Sequence, residues 1–351
     1  MDLALKPDLA QAQQNWAAFW RGQLRRPILQ IVVPRPDHQR ARNPYPFRPD
    51  RDPLAQAEQA LAFARDYEYF GEAIPNVMME FAPEQFAAFL GAPLHFDPEQ
   101  PGTGWVLPFV RDWKESPIQL QRQSDTWRKT IDFIRVFRRV CDPYLLVDAP
   151  VLSAGLDALA AIRGPEKLLV DLLDTPACVA AALAQVRRAY HEVVEELARE
   201  LSWDQRGSCN WLGMYHPRRI NTLQCDFSCM ISADLFRAFQ VPCLVDEARH
   251  YDAAAYHLDG PQAVHHLPEI CRLDAIQVVQ YVPVPSESPA HIESVYEQTL
   301  QLGKGIIRPA TCQQALDIWR RWPDRQLIFS MWLPNRDEAQ RVIARFENAV
   351  P

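Results

Sequence analysis

Glycine is scarce in this chain of 351 residues: 12 glycines stand against 30 prolines. Stiff loops should therefore outnumber flexible hinges. No apolar run approaches the roughly 20 residues that span a bilayer, which argues against a membrane protein. The N-terminus (MDLALKPDLAQAQQNW) lacks a basic segment followed by an apolar one. No secretory signal is expected, and the cytoplasm is the expected location. An excess of positive charge is also missing. With 37 Lys and Arg against 44 Asp and Glu, the formal charge is -7, so nucleic acid is not an expected partner. The eight cysteines, at 141, 178, 209, 225, 229, 243, 271 and 312, form no Cys-x-x-Cys pair. That spacing rules out a zinc finger and predicts free, mostly buried thiols. No Gly-x-Gly-x-x-Gly or Walker loop, no Gly-x-Ser-x-Gly elbow and no His-Glu-x-x-His pair occurs, so the nucleotide-fold, serine-hydrolase and zincin classes lack their signatures.

What is present is a 48% hydrophobic chain with a helix–strand rhythm. Periodicity predicts a helix over 8–25, a strand over 28–33, a Pro/Arg/Asp-rich loop over 34–53 and a helix over 54–69. Residues 70–113 show little regularity apart from a short helix near 84–90. A helix follows over 117–139. Short apolar strands then alternate with helices. Strands are expected at 145–148, 208–215, 254–258, 275–282, 305–309 and 326–332. Helices are expected at 155–163, 166–173, 176–202, 233–251, 262–271, 288–303, 312–321 and 337–348. Ser232 and Asn335 stand where N-caps belong. About eight such units predict an α/β TIM (β/α)8 barrel, built as one domain over 1–351, with a doubly wound sheet as the alternative. An N-terminal helical extension precedes the barrel, and loops 34–53 and 92–116 are expected over its mouth.

Barrel chemistry sits at the C-terminal ends of strands. The stretch Ala254–Gly260 (AAYHLDG) ends in His257, Asp259 and a glycine, and alternate strand residues share a face. His257 and Asp259 can serve as metal ligands, as an acid/base pair, or as a core imidazole and a helix cap. Asp226 could support them or cap its own turn. Cys225 is a soft ligand or a small buried hydrophobe. Trp211, Tyr215 and Trp332 could line a flat pocket or simply pack. Gln224, Gln277, Arg308 and Asp148 complete the candidate substrate-binding set. His265 and His266 are expected to be solvated or capping.

The run Gln224–Phe236 (QCDFSCMISADLF), followed by Pro242, resembles the Asp…Ile-Ser-Pro-x-x-Phe block of the uroporphyrinogen decarboxylase superfamily. Tyr256–Gly260 (YHLDG) with Ala275-Ile276-Gln277 is similar to that superfamily's next two strands. Asn210–Gly213, Leu156–Gly164 and the segment from Trp20-Arg21-Gly22 to Arg26-Pro27 also look like its uroporphyrinogen-decarboxylase-like group. The resemblance spans nearly the whole chain and implies a TIM barrel. One characterised branch decarboxylates a tetrapyrrole through an N-terminal Met-Arg-Gln-Ala-Gly-Arg segment. That segment is missing here, and 27–37 holds only Arg35. Another branch transfers methyl groups between corrinoid proteins and thiols, with zinc on a His-x-Cys strand end and a cysteine near the last strand. His257 matches the first ligand, Asp259 replaces the second, and the last strand offers Ser330 and Met331. Loss of both thiolates makes the site harder. The resemblance thus implies methyl transfer on a small or medium organic substrate. It further implies zinc or another divalent metal at His257, Asp259 and Asp226, a corrinoid as methyl donor or acceptor, a corrinoid protein as partner, and a homodimer. Its alternatives are cofactor-free decarboxylation anchored by Arg308, and non-catalytic tetrapyrrole or corrinoid binding.

Overall fold

The computed structural model describes residues 2–37, 41–97 and 104–349. In chain order its strands are β1 (Ile28–Pro34), β2 (Tyr67–Gly71), β3 (Asn76–Met78), β4 (Leu94–Phe96), β5 (Gly104–Val106) and β6 (Leu146–Asp148), then β7 (Ser208–Cys209), β8 (Tyr215–His216) and β9 (Ile220–Gln224), and last β10 (Ala253–Asp259), β11 (Ile276–Val282), β12 (Gly305–Pro309) and β13 (Leu327–Trp332). The central sheet runs β2-β1-β13-β12-β11-β10-β9. All its neighbours are parallel except the edge pair β1–β2. A second, short parallel pair joins β3 to β6, while β4–β5 and β7–β8 are antiparallel hairpins.

Among the described residues no ladder closes the sheet onto the β3–β6 pair. Side chains span part of the gap instead. Asp148 Oδ1 at the end of β6 accepts from Cys209 N of β7 at 3.0 Å, and Ser208 Oγ accepts from Ile220 N of β9 at 3.0 Å. Mixed α/β architecture with a mostly parallel sheet is therefore present, as the alternating rhythm predicted.

Both faces of the parallel strands are buried, which is why they read as continuous apolar runs. One face carries Tyr256, Val279, Ile306 and Phe329 in the larger core, beneath the helices Pro289–Gln301, Cys312–Arg321 and Arg336–Asn348. The other carries Ala255, Val278, Ile307 and Ile328 in a second core. The helix Leu9–Trp20 closes this second core at the N-terminal end of the strands. Trp16, Phe19 and Trp20 are packed ring against ring, and all three are buried. Their polar handles are satisfied: Trp16 Nε1 donates to Glu72 O at 2.9 Å and Trp20 Nε1 to Tyr215 O at 2.7 Å.

Several expected elements differ. The helix predicted over 54–69 ends at Arg65, and Tyr67–Gly71 forms β2, an aromatic stretch that pairs with β1. The strand predicted over 208–215 is the β7–β8 hairpin, with 210–214 as its loop. The segment after Tyr215, expected as a loop, contains β9. Residues 70–113 hold β3, the helix Gln85–Phe89 and the β4–β5 hairpin. The helix predicted over 117–139 starts at Asp125, where Ser124 accepts from Trp127 N at 3.2 Å. Ser232 and Asn335 are N-caps as expected, accepting from Leu235 N and Glu338 N. Parts of the loops predicted over the mouth, 38–40 and 98–103, lie outside the described residues. No described helix is long and apolar enough to cross a membrane, and all eight cysteines are free.

Candidate functional site

Strand register builds the site. His257 on β10 lies opposite Gln224 on β9 and Gln280 on β11, so three polar side chains form one row across adjacent strands. The row continues as Ile307, Ile328 and Ile28, which are apolar and buried. Polarity is thus concentrated on three neighbouring strands. His257 is half-buried and Asp259, two residues on, is exposed at the strand end. Gly260, at φ 77, then turns the chain out of β10 through a conformation that L-residues avoid.

His257 Nδ1 lies 2.7 Å from Gln280 Oε1. An amide oxygen only accepts, so Nδ1 carries the proton and Nε2 keeps its lone pair. Trp211, in the β7–β8 loop, meets the imidazole edge to face, with centroids 4.9 Å apart at 72°. Asp226 stands two residues beyond Gln224, whose Nε2 donates to Ser153 Oγ at 3.1 Å and Asp226 Oδ2 at 3.3 Å. One ligand atom each from Asp226, His257 and Asp259 lies within 4.8 Å of the other two.

Asp157 fixes the turn that carries Asp226. Its carboxylate accepts from Asp226 N at 3.0 Å and Phe227 N at 2.8 Å, and the buried Cys225 thiol donates to it. Burial, and then the neighbouring Asp226 charge, push the Asp157 carboxyl up to about 7. Asp226 is also raised, chiefly by desolvation; His257 opposes the rise and Asp259 adds to it. Crowded carboxylates of this kind are relieved by a cation. One imidazole nitrogen and two carboxylate oxygens suit zinc or a harder divalent ion. Among the described residues no cysteine joins the three ligands, although the exposed Cys229 thiol lies near enough for Asp226, Asp157 and Asp259 to help raise it, after burial. Cys225 is turned to Asp157, and Ser330 Oγ donates to Gln30 Oε1 at 2.8 Å.

Two cavities flank the cluster. One, about 290 Å³, is lined by Ser153, Asp157, Gln224, Asp226 and Met230. The other, about 500 Å³, is lined by Tyr45, Phe63, Tyr69, Asn76, Met78 and Trp211.

The structure brings together Asp226, His257, Asp259, Gln224 and Trp211. It does not bring the remaining candidates to them. Arg308 lies under the helix Pro289–Gln301, bound to Glu293 at 2.7 Å with its guanidinium 4.4 Å over the Tyr296 ring. Gln277 is skipped by the ladder, where Ala254 faces Ile276 and Ala255 faces Val278. That puts it about 10 Å along β11 from Gln280. Tyr215 is buried at the N-terminal end, where its hydroxyl accepts from Gln13 Nε2 at 2.8 Å and donates to Arg206 O at 3.1 Å. Asp148 is buried between β6 and β7; desolvation raises it to about 7, against the pull of Cys209 N, Arg206 and Asn76. Trp332 is two-thirds exposed and packs on Tyr67. His266, expected at the surface, is buried, with Nε2 2.9 Å from Ser228 O and its ring stacked on Phe236. Gln280, Ser153 and Asp157 were not among the predicted site residues. Gln280 is legible in the sequence as a strand-end residue, and its parity with His257 would have placed it in the site. No local signal marks Asp157, which reaches the site only through the fold.

No family model matches the chain, and no curated protein matches it by sequence. Its fold is shared with a methyltransferase from Methanosarcina mazei, at 10% identity and a TM-score of 0.56, over 96% of this chain and 98% of that one. A B12-independent methionine synthase from Shewanella sp. W3-18-1, in complex with selenomethionine, aligns over 84% of this chain and 85% of that one, at 10% identity and a TM-score of 0.41.

Proposed function

We propose that the chain is a single-domain TIM-barrel enzyme that transfers methyl groups, with a divalent metal, zinc foremost, held by Asp226, His257 and Asp259. The observation that carries this reading is the cluster itself: three ligand atoms within 4.8 Å at the C-terminal edge of β9 and β10, with His257 held in the ligating tautomer by Gln280. An outer partner of that type is what metal-binding histidines require. The fold likeness to a methyltransferase agrees with it. A barrel would be completed where β3, β6 and β7 stand between the β1–β2 edge and β9.

A divalent cation at this position supplies Lewis acidity, lowering the pKa of a coordinated nucleophile. The protein does the rest. Asp226 and Asp259 balance the cation's charge. Trp211 forms a flat wall between His257 and the aromatic-lined 500 Å³ cavity, a volume suited to a small or medium organic substrate. A corrinoid carried by a partner protein is the methyl donor or acceptor we assign. The decarboxylase alternative loses its anchor, because Arg308 is committed to Glu293 on the outer face.

The test is methyl transfer between methylcobalamin and a panel of thiols and hydroxylated aromatics, followed by the visible spectrum of the corrinoid. Turnover that needs zinc and vanishes in His257→Ala supports the proposal. Zinc-independent CO2 release from carboxylic acids, with no methyl transfer, overturns it.

A further inference from the structure

A second group of metal-type donors lies away from the sheet. His191 and Glu195 are four residues apart on the helix Pro176–Leu201, so they share one helix face. His250 follows the helix Val241–Ala248. One ligand atom from each of the three lies within 4.8 Å of the other two. The two imidazoles present the same nitrogen to each other, with Nδ1 atoms 3.4 Å apart. Zinc–nitrogen bonds of about 2.0–2.1 Å in a tetrahedron place ligand nitrogens about 3.3–3.4 Å apart. The pair is therefore spaced as one edge of that tetrahedron.

The third ligand is oriented from behind. Arg219 Nη1 donates to Glu195 Oε1 at 2.7 Å, while Arg219 Nη2 stands 3.5 Å from Oε2. The first contact fixes the carboxylate; the second leaves Oε2 loosely held and available. Arg219 is itself anchored by Asp204 at 2.9 Å. A ligand held by a buttressing partner is the arrangement expected around metals. His191 and His250 also line a broad surface groove of about 940 Å³, which gives water access to a fourth position.

We propose that His191, Glu195 and His250 form a second divalent-metal site of the zinc type, with water as fourth ligand, that ties the helix Pro176–Leu201 to the end of the helix Val241–Ala248. Two imidazoles and one carboxylate with an open position form a donor set that zinc accepts. This site is independent of the one at His257.

The test titrates zinc into the full chain carrying His257→Ala, which removes the first cluster, and reads stoichiometry by calorimetry. Cobalt(II) serves as a spectroscopic probe for tetrahedral geometry. One equivalent is expected in that background. Adding either His250→Ala or Glu195→Gln should weaken it at least tenfold. Should His257→Ala fail to fold, the same loss is read in the otherwise unaltered chain, whose zinc content should fall by one equivalent on His250→Ala. Absence of binding in the His257→Ala chain overturns the proposal, as does an affinity that His250→Ala leaves unchanged.

Discussion

The two ends of the central sheet are built from opposite materials. At the N-terminal end Trp16, Phe19, Trp20 and Tyr215 are buried and close the second core. Every indole nitrogen and hydroxyl named there has a backbone or side-chain partner. At the C-terminal end the same strands finish in Gln224, His257, Asp259 and Gln280, beside the raised carboxyls of Asp157 and Asp226. One end consumes aromatic surface and satisfies its polar atoms. The other gathers charge that only a bound cation or proton relieves. Burial at the first end stabilises the fold; crowding at the second is what the proposed metal would offset.

That contrast predicts opposite outcomes for substitutions at the two ends. His257→Ala should lower methyl transfer by about a thousandfold, the several kcal/mol that a lost metal ligand costs. Its melting temperature should stay within a few degrees of the parent. A large melting shift would make His257 a core residue and break the distinction. Trp16→Ala should do the reverse. It should cost about 3–5 kcal/mol in denaturant unfolding, while the folded fraction binds zinc as the parent does.

Asp148 tests the boundary between the two ends. Its carboxyl is raised to about 7 in the folded chain, above the roughly 3.9 of an unfolded chain. The native state therefore binds the proton more tightly. Stability from this group is full below about pH 4 and falls as pH rises to about 7. Asp157, also raised to about 7, contributes in the same sense. Asp148→Asn should remove the Asp148 share of the decline between pH 4 and 7, as much as about 4 kcal/mol at pH 8, as measured by urea unfolding across that range. An unchanged pH profile would remove Asp148 from the account.

The smallest expected effect is Gln280→Leu. Without its amide partner the His257 ring loses its fixed tautomer. Zinc affinity should drop about 10- to 100-fold with little change in stability, read by competition with a chromophoric chelator. Unchanged affinity would reduce Gln280 to a packing residue.

Much of the sheet could be read from the chain because its strands are buried on both faces. β10 to β13 are short apolar runs between helices and fall where periodicity put them. β9 escaped notice since Ile220–Gln224 (INTLQ) holds only two apolar residues; its buried Thr222 looks like loop sequence. β2 escaped because Tyr67 follows the helix end at Arg65 after a single residue, with no proline or glycine to mark the break. The same parity that found His257 and Asp259 misplaced Arg308. One residue along a strand reverses the face, and Ile307 rather than Arg308 shares the row of His257. Gln277 was displaced by a register shift that no residue announces. Asp157 supports Asp226 across 69 positions of sequence, so its part was beyond any local pattern.

The central claim is that Asp226, His257 and Asp259 hold a metal. It is tested most directly by titrating zinc into the His250→Ala chain, in which only the strand-end cluster remains. One equivalent should bind there, and it should be lost when His257→Ala is added. No bound equivalent, or one that survives the loss of His257, would contradict the account.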